Sequence, residues 1–254
     1  MATVSVEDRA GGVRVLTLSK PPANAIDEAL LTDLAAALAE ARADETVRAL
    51  VLTGAGPFFS GGFDFAAPRR DDEVAHDLYA LYRDSHLQLF TFSKPTIAMV
   101  NGHAIAGGLV LVLACDHRLA VDGDYRVGLN EVAVGASFPR AAFEIVRLRL
   151  AHAGANELLL GASLYPASEA VRLGIVSELL PAHGFEQAVL TRAARLGTFP
   201  REAYAHTKAA LVAAAARSIA AESAEEALQA MSVWITSESR AARRRQREKL
   251  GVGS

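Results

Sequence analysis

The segment NGHAIAGGLVLVLACDH, residues 101–117, contains the strongest structural signal in the chain. It follows a candidate strand, Thr96–Val100, and places Gly107 and Gly108 directly before a run of apolar residues. We expect these glycines to begin a short buried helix, whose N-terminal N–H groups and dipole favour negative charge. Gly107 is the natural donor because no side chain shields its N–H. The alternative is that the two glycines only allow the helix to pack closely.

The sequence on both sides of this segment predicts an α/β fold built from repeated strand–strand–helix units. Near the N-terminus, alternating residues around Gly11-Gly12 predict a hairpin, and Asp27 is placed to cap the helix after it. The predicted strands are Val4–Glu7, Val13–Leu18, Ala49–Leu52, Thr96–Val100, Asp116–Val121, Tyr125–Val127 and Ile175–Leu179. The predicted later helices are 71–92, Ala151–Leu160 and Ser168–Leu173. From Phe185 to Lys249 the composition favours helix, with Pro200 as the main break.

Composition and charge exclude several classes of function. The 254 residues are 51% hydrophobic and 22% charged, with a net charge of −3, which gives no electrostatic case for nucleic acid or an anionic membrane. The longest apolar run, Ala104–Cys115, is shorter than the roughly 20 residues of a membrane-spanning helix. Cys115 is the single cysteine, and the N-terminus does not resemble a signal peptide, so we expect a cytoplasmic protein. The scattered histidines give no sign of a metal site.

A second glycine pair lies in FFSGGFDF, residues 58–65. Gly61 and Gly62 allow the backbone to approach a ligand closely, and the N–H of the next residue, Phe63, could then point at an oxyanion. The alternative is an ordinary glycine turn with phenylalanine side chains packed beneath it.

A single acidic residue stands in the otherwise apolar segment YRVGLNEVAVG, residues 125–135. Burial of Glu131 would raise its pKa and make it a better base than a solvated carboxylate. The alternatives are that Glu131 pairs with an arginine such as Arg118 or Arg126, or that it faces solvent. A proline-rich loop, KPPANAID at residues 20–27, could offer backbone groups to a nucleotide or could only connect two elements.

Taken together, these four segments resemble the crotonase (enoyl-CoA hydratase/isomerase) superfamily, in the same order and along essentially the whole chain. The resemblance implies an α/β fold, a crotonase-like ββα spiral that binds acyl-CoA over residues 1–195, with a helical trimerisation region at 196–254. It also implies that the backbone N–H groups of Phe63 and Gly107 stabilise an enolate and that Glu131 moves the proton. The expected partners are an acyl-CoA thioester and two further copies of the chain, as a homotrimer or a dimer of trimers.

The chain departs from the pattern of the family's hydratases at one position. Those enzymes have two catalytic glutamates, and the position of the first, three residues after Gly107, is occupied here by Val110. The remaining acid, Glu131, is the position where the mitochondrial-type Δ3,Δ2-enoyl-CoA isomerases of the family have their only catalytic acid. The stretches around Pro21-Pro22 and Val233–Ser237 resemble the same branch. An isomerase is therefore expected, with a hydratase as its nearest alternative and a non-catalytic acyl-CoA-binding protein as the other.

The resemblance implies further contacts to the substrate. Residues Ser60–Asp64 would line the pantetheine end of coenzyme A and Ala23–Ala25 its adenine end, while the stretch 136–147 would border the acyl group. The candidate residues for these contacts are Ala23, Asn24, Ala25, Ser60, Gly61, Gly62, Asp64, Phe65, Gly108 and Lys249. No cofactor and no metal are expected, because coenzyme A is part of the substrate. We interpret His103 as a loop residue rather than a base, and Cys115 as a buried small side chain.

Overall fold

The computed structural model describes residues 2–63 and 72–249. The strands are β1 (Val4–Arg9), β2 (Val13–Leu18), β3 (Ala49–Gly54), β4 (Phe58–Ser60), β5 (Thr96–Val100), β6 (His103–Ile105), β7 (His117–Val121), β8 (Arg126–Gly128), β9 (Leu164–Pro166) and β10 (Glu178–Leu180). The helices are α1 (Glu28–Ala43), α2 (Asp72–Phe90), α3 (Gly107–Ala114), α4 (Arg140–Arg149), α5 (His152–Gly161), α6 (Phe185–Gly197), α7 (Arg201–Ala220), α8 (Ala224–Ser232) and α9 (Ser237–Lys249).

The strands form two sheets, and successive turns of the chain supply one strand to each. The larger sheet has the order β1-β2-β3-β5-β7-β10 and the smaller has the order β4-β6-β8-β9. The chain goes from β3 to β4, from β5 to β6 and from β7 to β8, and along each sheet these strands are parallel. This arrangement is the ββα spiral that the sequence predicted.

Local sequence explains why the first helix begins where it does. The Asp27 carboxylate accepts a hydrogen bond of 3.0 Å from the Leu30 N–H, which satisfies one of the donors that a helix leaves open at its start. Leu31, Leu34 and Leu38 then repeat at helical spacing and are buried. The predicted N-terminal hairpin is also confirmed, because β1 and β2 pair antiparallel around the two glycines.

The larger sheet is covered on both faces. On one face lies the main core, which includes the six residues Leu109–Ala114 of α3, a helix that is buried along its whole length. On the other face, Phe185 and Val189 of α6 pack against Val51 and Ile97 in a second apolar cluster. Burial on both faces explains why β3 and β5 consist almost entirely of apolar residues.

The C-terminal helices begin on the chain's own core. Val212 and Ile219 of α7 are buried among the residues of the main core. Leu211 on α7 and Leu228 on α8 remain exposed. The role of residues 196–254 in assembly, and the trimer itself, stay predictions. No helix in the described part of the chain is long and apolar enough to cross a membrane.

Residues 164–180 depart from the sequence prediction. In place of the helix Ser168–Leu173 there is a single 3-10 turn, Ala167–Glu169, followed by further turns. The predicted strand at 175–179 begins only at Glu178, because the N–H groups of Ile175 and Val176 both donate to the Ala170 carbonyl oxygen. The buried side chains of those two residues thus reflect core packing rather than strand pairing.

Candidate active site

Two backbone segments meet at the position predicted for the oxyanion donors. Gly62 follows β4 with a φ of 82°, in the left-handed region that glycine tolerates. A Cβ atom at Gly62 would lie 2.7 Å from Ala106 Cβ and 3.2 Å from the Gly107 nitrogen. Only glycine therefore lets the loop after β4 lie against the start of α3, and Phe63 is thereby placed close to Gly107.

The start of α3 is suited to a developing negative charge. Gly107 is the first helical residue, and the residue before it, Ala106, has a φ of 53° and makes no side-chain cap hydrogen bond. The first N–H groups of a helix have no partner within the helix, and the helix dipole adds positive potential there. Because α3 is entirely buried, water screens this potential only weakly.

Gly108 has a packing role beside this donor position. A Cβ atom at Gly108 would lie 2.3 Å from the Ser60 carbonyl oxygen, so α3 and β4 are in direct backbone contact there. The packing alternative that the sequence left open thus holds for Gly108. The space around Gly107 is less tight, since a Cβ atom added there would meet only side-chain atoms first, those of Ile26 at 3.1 Å and Tyr82 at 3.3 Å.

Glu131 is a buried carboxyl group that forms no ion pair with the residues that the structure describes. It is 6% exposed, and among the same residues its Oε2 atom finds no hydrogen-bond partner. Burial raises the pKa of Glu131 to about 7, against the opposite effect of the backbone N–H groups of Glu131 and Asn130. Arg118 does not pair with it, because its guanidinium donates to two backbone carbonyl oxygens instead. The expected burial of Glu131 is confirmed.

The turn after Glu131 brings it towards the oxyanion segment. Glu131 precedes a 3-10 turn, Val132–Val134, and its carbonyl oxygen accepts hydrogen bonds from Val134 and Ala136. Val134 and Ala136 form a small apolar cluster with Trp234, and Phe63 packs against that cluster. The ring centroids of Phe63 and Trp234 are 5.5 Å apart in an edge-on arrangement.

Tyr82 of α2 links the three candidate catalytic residues, and sequence reasoning missed it. Its ring stacks on the Phe63 ring at 4.9 Å between centroids and contacts the Gly107 position described above. Burial raises the pKa of the Tyr82 hydroxyl well above its usual range, and the nearby Glu131 carboxylate adds to that increase. The spacing of Tyr82 and His86, four residues apart on a predicted helix, could have indicated a common face but not what that face would contact.

The loop at residues 20–27 is held by Asn24, whose side chain is buried. The Asn24 amide nitrogen donates to the carbonyl oxygens of Ala55, at 3.0 Å, and Phe58, at 2.8 Å. Its amide oxygen accepts from the Lys20 N–H, and its own carbonyl oxygen accepts from the buried Ser60 hydroxyl. The side chains of Asn24 and Ser60 therefore support the shape of the loop, and the contact of these two residues with coenzyme A stays a prediction.

The remaining binding candidates stay predictions. Gly61 donates its N–H to the Ala23 carbonyl oxygen at 2.8 Å, which joins the two loops that were predicted to bind coenzyme A. Ala23, Ala25 and Gly61 are partly exposed. Asp64, Phe65 and the side chain of Lys249 lie outside the described residues.

His103 and Cys115 have no place in the candidate site. His103 begins β6 rather than lying in a loop, because that residue pairs with Phe58 of β4. Its Nδ1 atom accepts a hydrogen bond from the Arg126 N–H. Cys115 is fully buried, as predicted, and burial raises the pKa of its thiol to about 12. In the described part of the chain no group of three or more His, Cys, Asp and Glu residues could hold a metal ion.

Comparison with known proteins identifies relatives across almost the whole chain. Residues 8–251 match the sequence profile of the enoyl-CoA hydratase/isomerase family. A putative enoyl-CoA hydratase of Thermus thermophilus is 37% identical over 182 residues, which are 69% of this chain and 71% of that protein. Human mitochondrial enoyl-CoA delta isomerase 1 is 31% identical over 213 residues, which are 81% of this chain and 70% of that protein.

Structural comparison gives the same family. The crystal structure of human mitochondrial Δ3-Δ2-enoyl-CoA isomerase matches with a TM-score of 0.92 and 26% identity, over 98% of each chain. An enoyl-CoA hydratase/isomerase family protein from Pseudomonas syringae matches with a TM-score of 0.83 and 28% identity, over 89% of this chain and 97% of that one. The crotonase-like fold is thereby confirmed, and the relatives include proteins named as isomerases and as hydratases.

Proposed function

Because the chain belongs to the enoyl-CoA hydratase/isomerase family, we propose that it moves the double bond of a 3-enoyl-CoA to give a 2-enoyl-CoA. In this reaction the Glu131 carboxylate removes a proton from C2 of the substrate. The electron pair of the broken C–H bond delocalises through the C3–C4 double bond and the thioester, which gives a dienolate. The protonated Glu131 then returns the proton to C4, and the double bond comes to lie between C2 and C3.

Two backbone N–H groups could stabilise the negative charge that forms on the thioester oxygen in this step. The N–H groups of Phe63 and Gly107 would donate to the thioester oxygen as it becomes negative, and each such donor contributes roughly a factor of 10²–10³ in rate. The proton transfer itself contributes roughly 10²–10⁴. A base with a pKa of about 7 suits that transfer, because at neutral pH a large fraction is ionised and its conjugate acid can still give up the proton.

The observation that carries the choice of isomerase over hydratase is Val110. It lies one helical turn into α3, fully buried, where the family's hydratases have their other glutamate. A valine side chain neither accepts nor donates a proton and disfavours an ordered water molecule. Addition of water uses two carboxylates to hold and activate that water, whereas a proton shuttle between C2 and C4 requires only Glu131.

Hydration of a 2-enoyl-CoA is the second candidate, because the relative from Thermus thermophilus is named a putative enoyl-CoA hydratase. A direct comparison decides between the two. The purified protein is given crotonyl-CoA, whose hydration removes the absorbance of the conjugated thioester, and separately 3-hexenoyl-CoA, whose isomerisation creates it. We expect the second reaction to be faster by at least about 10²-fold, the size of a general acid–base contribution. Faster hydration would overturn the proposal.

The role of Glu131 is tested by Glu131→Gln. The variant is expected to lose isomerisation by about 10²–10⁴-fold, because the amide cannot take up the proton from C2. Binding of a saturated acyl-CoA is expected to persist, and it can be followed by the fluorescence of Trp234, the only tryptophan of the chain. Glu202→Gln, at an exposed position on α7, is the matched control and should retain full activity. Full activity in Glu131→Gln would contradict the proposal, whereas lost binding as well would indicate a structural role.

A further inference from the structure

The Tyr82 ring is enclosed on several sides next to the candidate site. It is 1% exposed and stacks on Phe63 with an angle of 28° between the ring planes. On another side the His86 ring lies 3.8 Å away between centroids. The ring also lies beside the Gly107 backbone, because a Cβ atom added to Gly107 would be 3.3 Å from Tyr82 Cε2. The ring therefore cannot turn aside without displacing neighbours that are themselves buried.

His86 supports the ring from within the same helix. Its Nδ1 atom lies 2.8 Å from the Tyr82 carbonyl oxygen, and the imidazole is fully buried. Burial lowers the pKa of His86 to about 4, so the imidazole is neutral at neutral pH. The neutral imidazole packed against the Tyr82 ring therefore adds no charge next to the candidate site and leaves the ring little room to move.

The position of the Tyr82 ring relative to the substrate follows from the residues that the ring contacts. If the thioester oxygen lies at the Phe63 and Gly107 N–H groups, C2 to C4 lie between those groups and Glu131. The Tyr82 ring stacks on Phe63 and lies beside the Gly107 backbone, and the Glu131 carboxylate contributes to the raised pKa of its hydroxyl. In that arrangement the Tyr82 ring borders the path of the carbon atoms beyond C4.

We propose that Tyr82 sets the upper limit on acyl chain length, with the volume of its ring acting as the end wall of the acyl site. The inference rests on the proposed function only for the position of the thioester carbonyl, and it does not depend on which reaction follows. The hydroxyl group is not required for this limit, because the limit depends only on the volume of the ring.

The test measures binding of saturated straight-chain acyl-CoAs, from butanoyl-CoA to tetradecanoyl-CoA in steps of two carbons. Trp234 fluorescence is a suitable signal, since this residue packs against Phe63. Each buried methylene is expected to tighten binding about fourfold until the chain reaches the wall. In wild-type protein the gain should stop at a definite length. In Tyr82→Val the gain should continue for about two further carbon atoms, because the smaller side chain leaves the space of roughly two methylene groups.

Two further variants keep the test decisive. Tyr82→Phe retains the ring and should show the wild-type length limit. Phe92→Val removes a fully buried ring next to Arg42, and it serves as the matched control for general loosening of the core. An unchanged limit in Tyr82→Val, or the same shift in Phe92→Val, would overturn the inference. Saturated ligands undergo neither isomerisation nor hydration, so a failed isomerase assay would leave this result intact.

Discussion

At the scale of single residues, the buried Glu131 carboxyl group couples activity to stability. Its pKa is about 7 in the folded chain against an ordinary value of 4.5, so between these pH values the folded state binds more protons than the unfolded state. The free energy of unfolding should therefore decrease as pH rises from about 4.5 to about 7. Glu131→Gln removes this dependence. At pH 8 it should be more stable than wild type by up to about 3 kcal/mol, and at pH 4.5 about equally stable.

Urea denaturation at the two pH values measures this difference. Glu202→Gln, with its exposed side chain in the first turn of α7, should lower the free energy of unfolding by no more than about 1 kcal/mol at pH 8, the size of a helix-dipole interaction, and should not raise it at either pH. An equal effect of Glu131→Gln at pH 4.5 and pH 8 would show that the carboxyl group is not the source of the dependence.

The sequence allowed some site residues to be predicted better than others. Phe63 and Gly107 could be proposed from the glycines around them, because close backbone approach needs residues without a side chain. The burial of Glu131 was one of three alternatives that its apolar neighbours left open, and the structure shows it. Tyr82 could not be predicted, since its contacts come from segments that are 19 residues before it and 25 residues after it along the chain.

At the scale of elements, the contact of α3 with β4 sets the geometry of the oxyanion segment. Gly108→Ala would place a methyl group 2.3 Å from the Ser60 carbonyl oxygen, and backbone atoms cannot move aside as a flexible side chain can. We expect a loss of about 1–3 kcal/mol in the free energy of unfolding. We also expect a lower kcat/KM, because the start of α3 must shift relative to Phe63. Chemical denaturation and steady-state kinetics measure the two effects.

Gly123→Ala is the control for this substitution. A Cβ atom at Gly123 would make only ordinary contact, 3.5 Å from the Tyr125 ring, so both stability and activity should stay close to wild type. Equal effects at Gly108 and Gly123 would contradict the tight contact between α3 and β4.

The long elements were predicted better than the short ones, although the three-residue strand β8 was also predicted. The helix capped by Asp27 and the buried strand β5 each show a clear apolar pattern over five or more residues. β4, β6 and β9 have three residues each, too few to show a period, and they form because the spiral places them side by side. The helix proposed at 168–173 was wrong because Gly174, with a φ of 75°, and the core positions after it favour turns.

At the scale of the whole molecule, one carboxylate, whose side chain is 10% exposed, connects the spiral to the helices that follow it. Asp116, just before β7, accepts hydrogen bonds from Lys208 Nζ at 2.8 Å and the Tyr204 hydroxyl at 3.0 Å, both on α7. It also pairs with Arg149 of α4 at 3.2 Å. The spiral prediction did not include this connection, because Asp116 and Lys208 are 92 residues apart in sequence.

The connection predicts a large and non-additive effect of substitution. The Lys208 side chain is 5% exposed, and Asp116→Asn would leave its ammonium group buried without its ionic partner. Breaking one side of such a pair costs about 3–5 kcal/mol, whereas replacing both charges costs much less. The double variant Asp116→Asn with Lys208→Met should therefore lose less free energy of unfolding than the two single variants lose together, as measured by a double-mutant cycle in urea.

The surface pair Arg172–Glu169, with side chains 64% and 39% exposed, is the matched comparison, and its cycle should give a coupling energy of less than about 1 kcal/mol. Similar coupling energies in the two cycles would mean that Asp116 does not hold α7 on the spiral, and that other contacts, such as the apolar ones of Val212 and Ile219, keep it there.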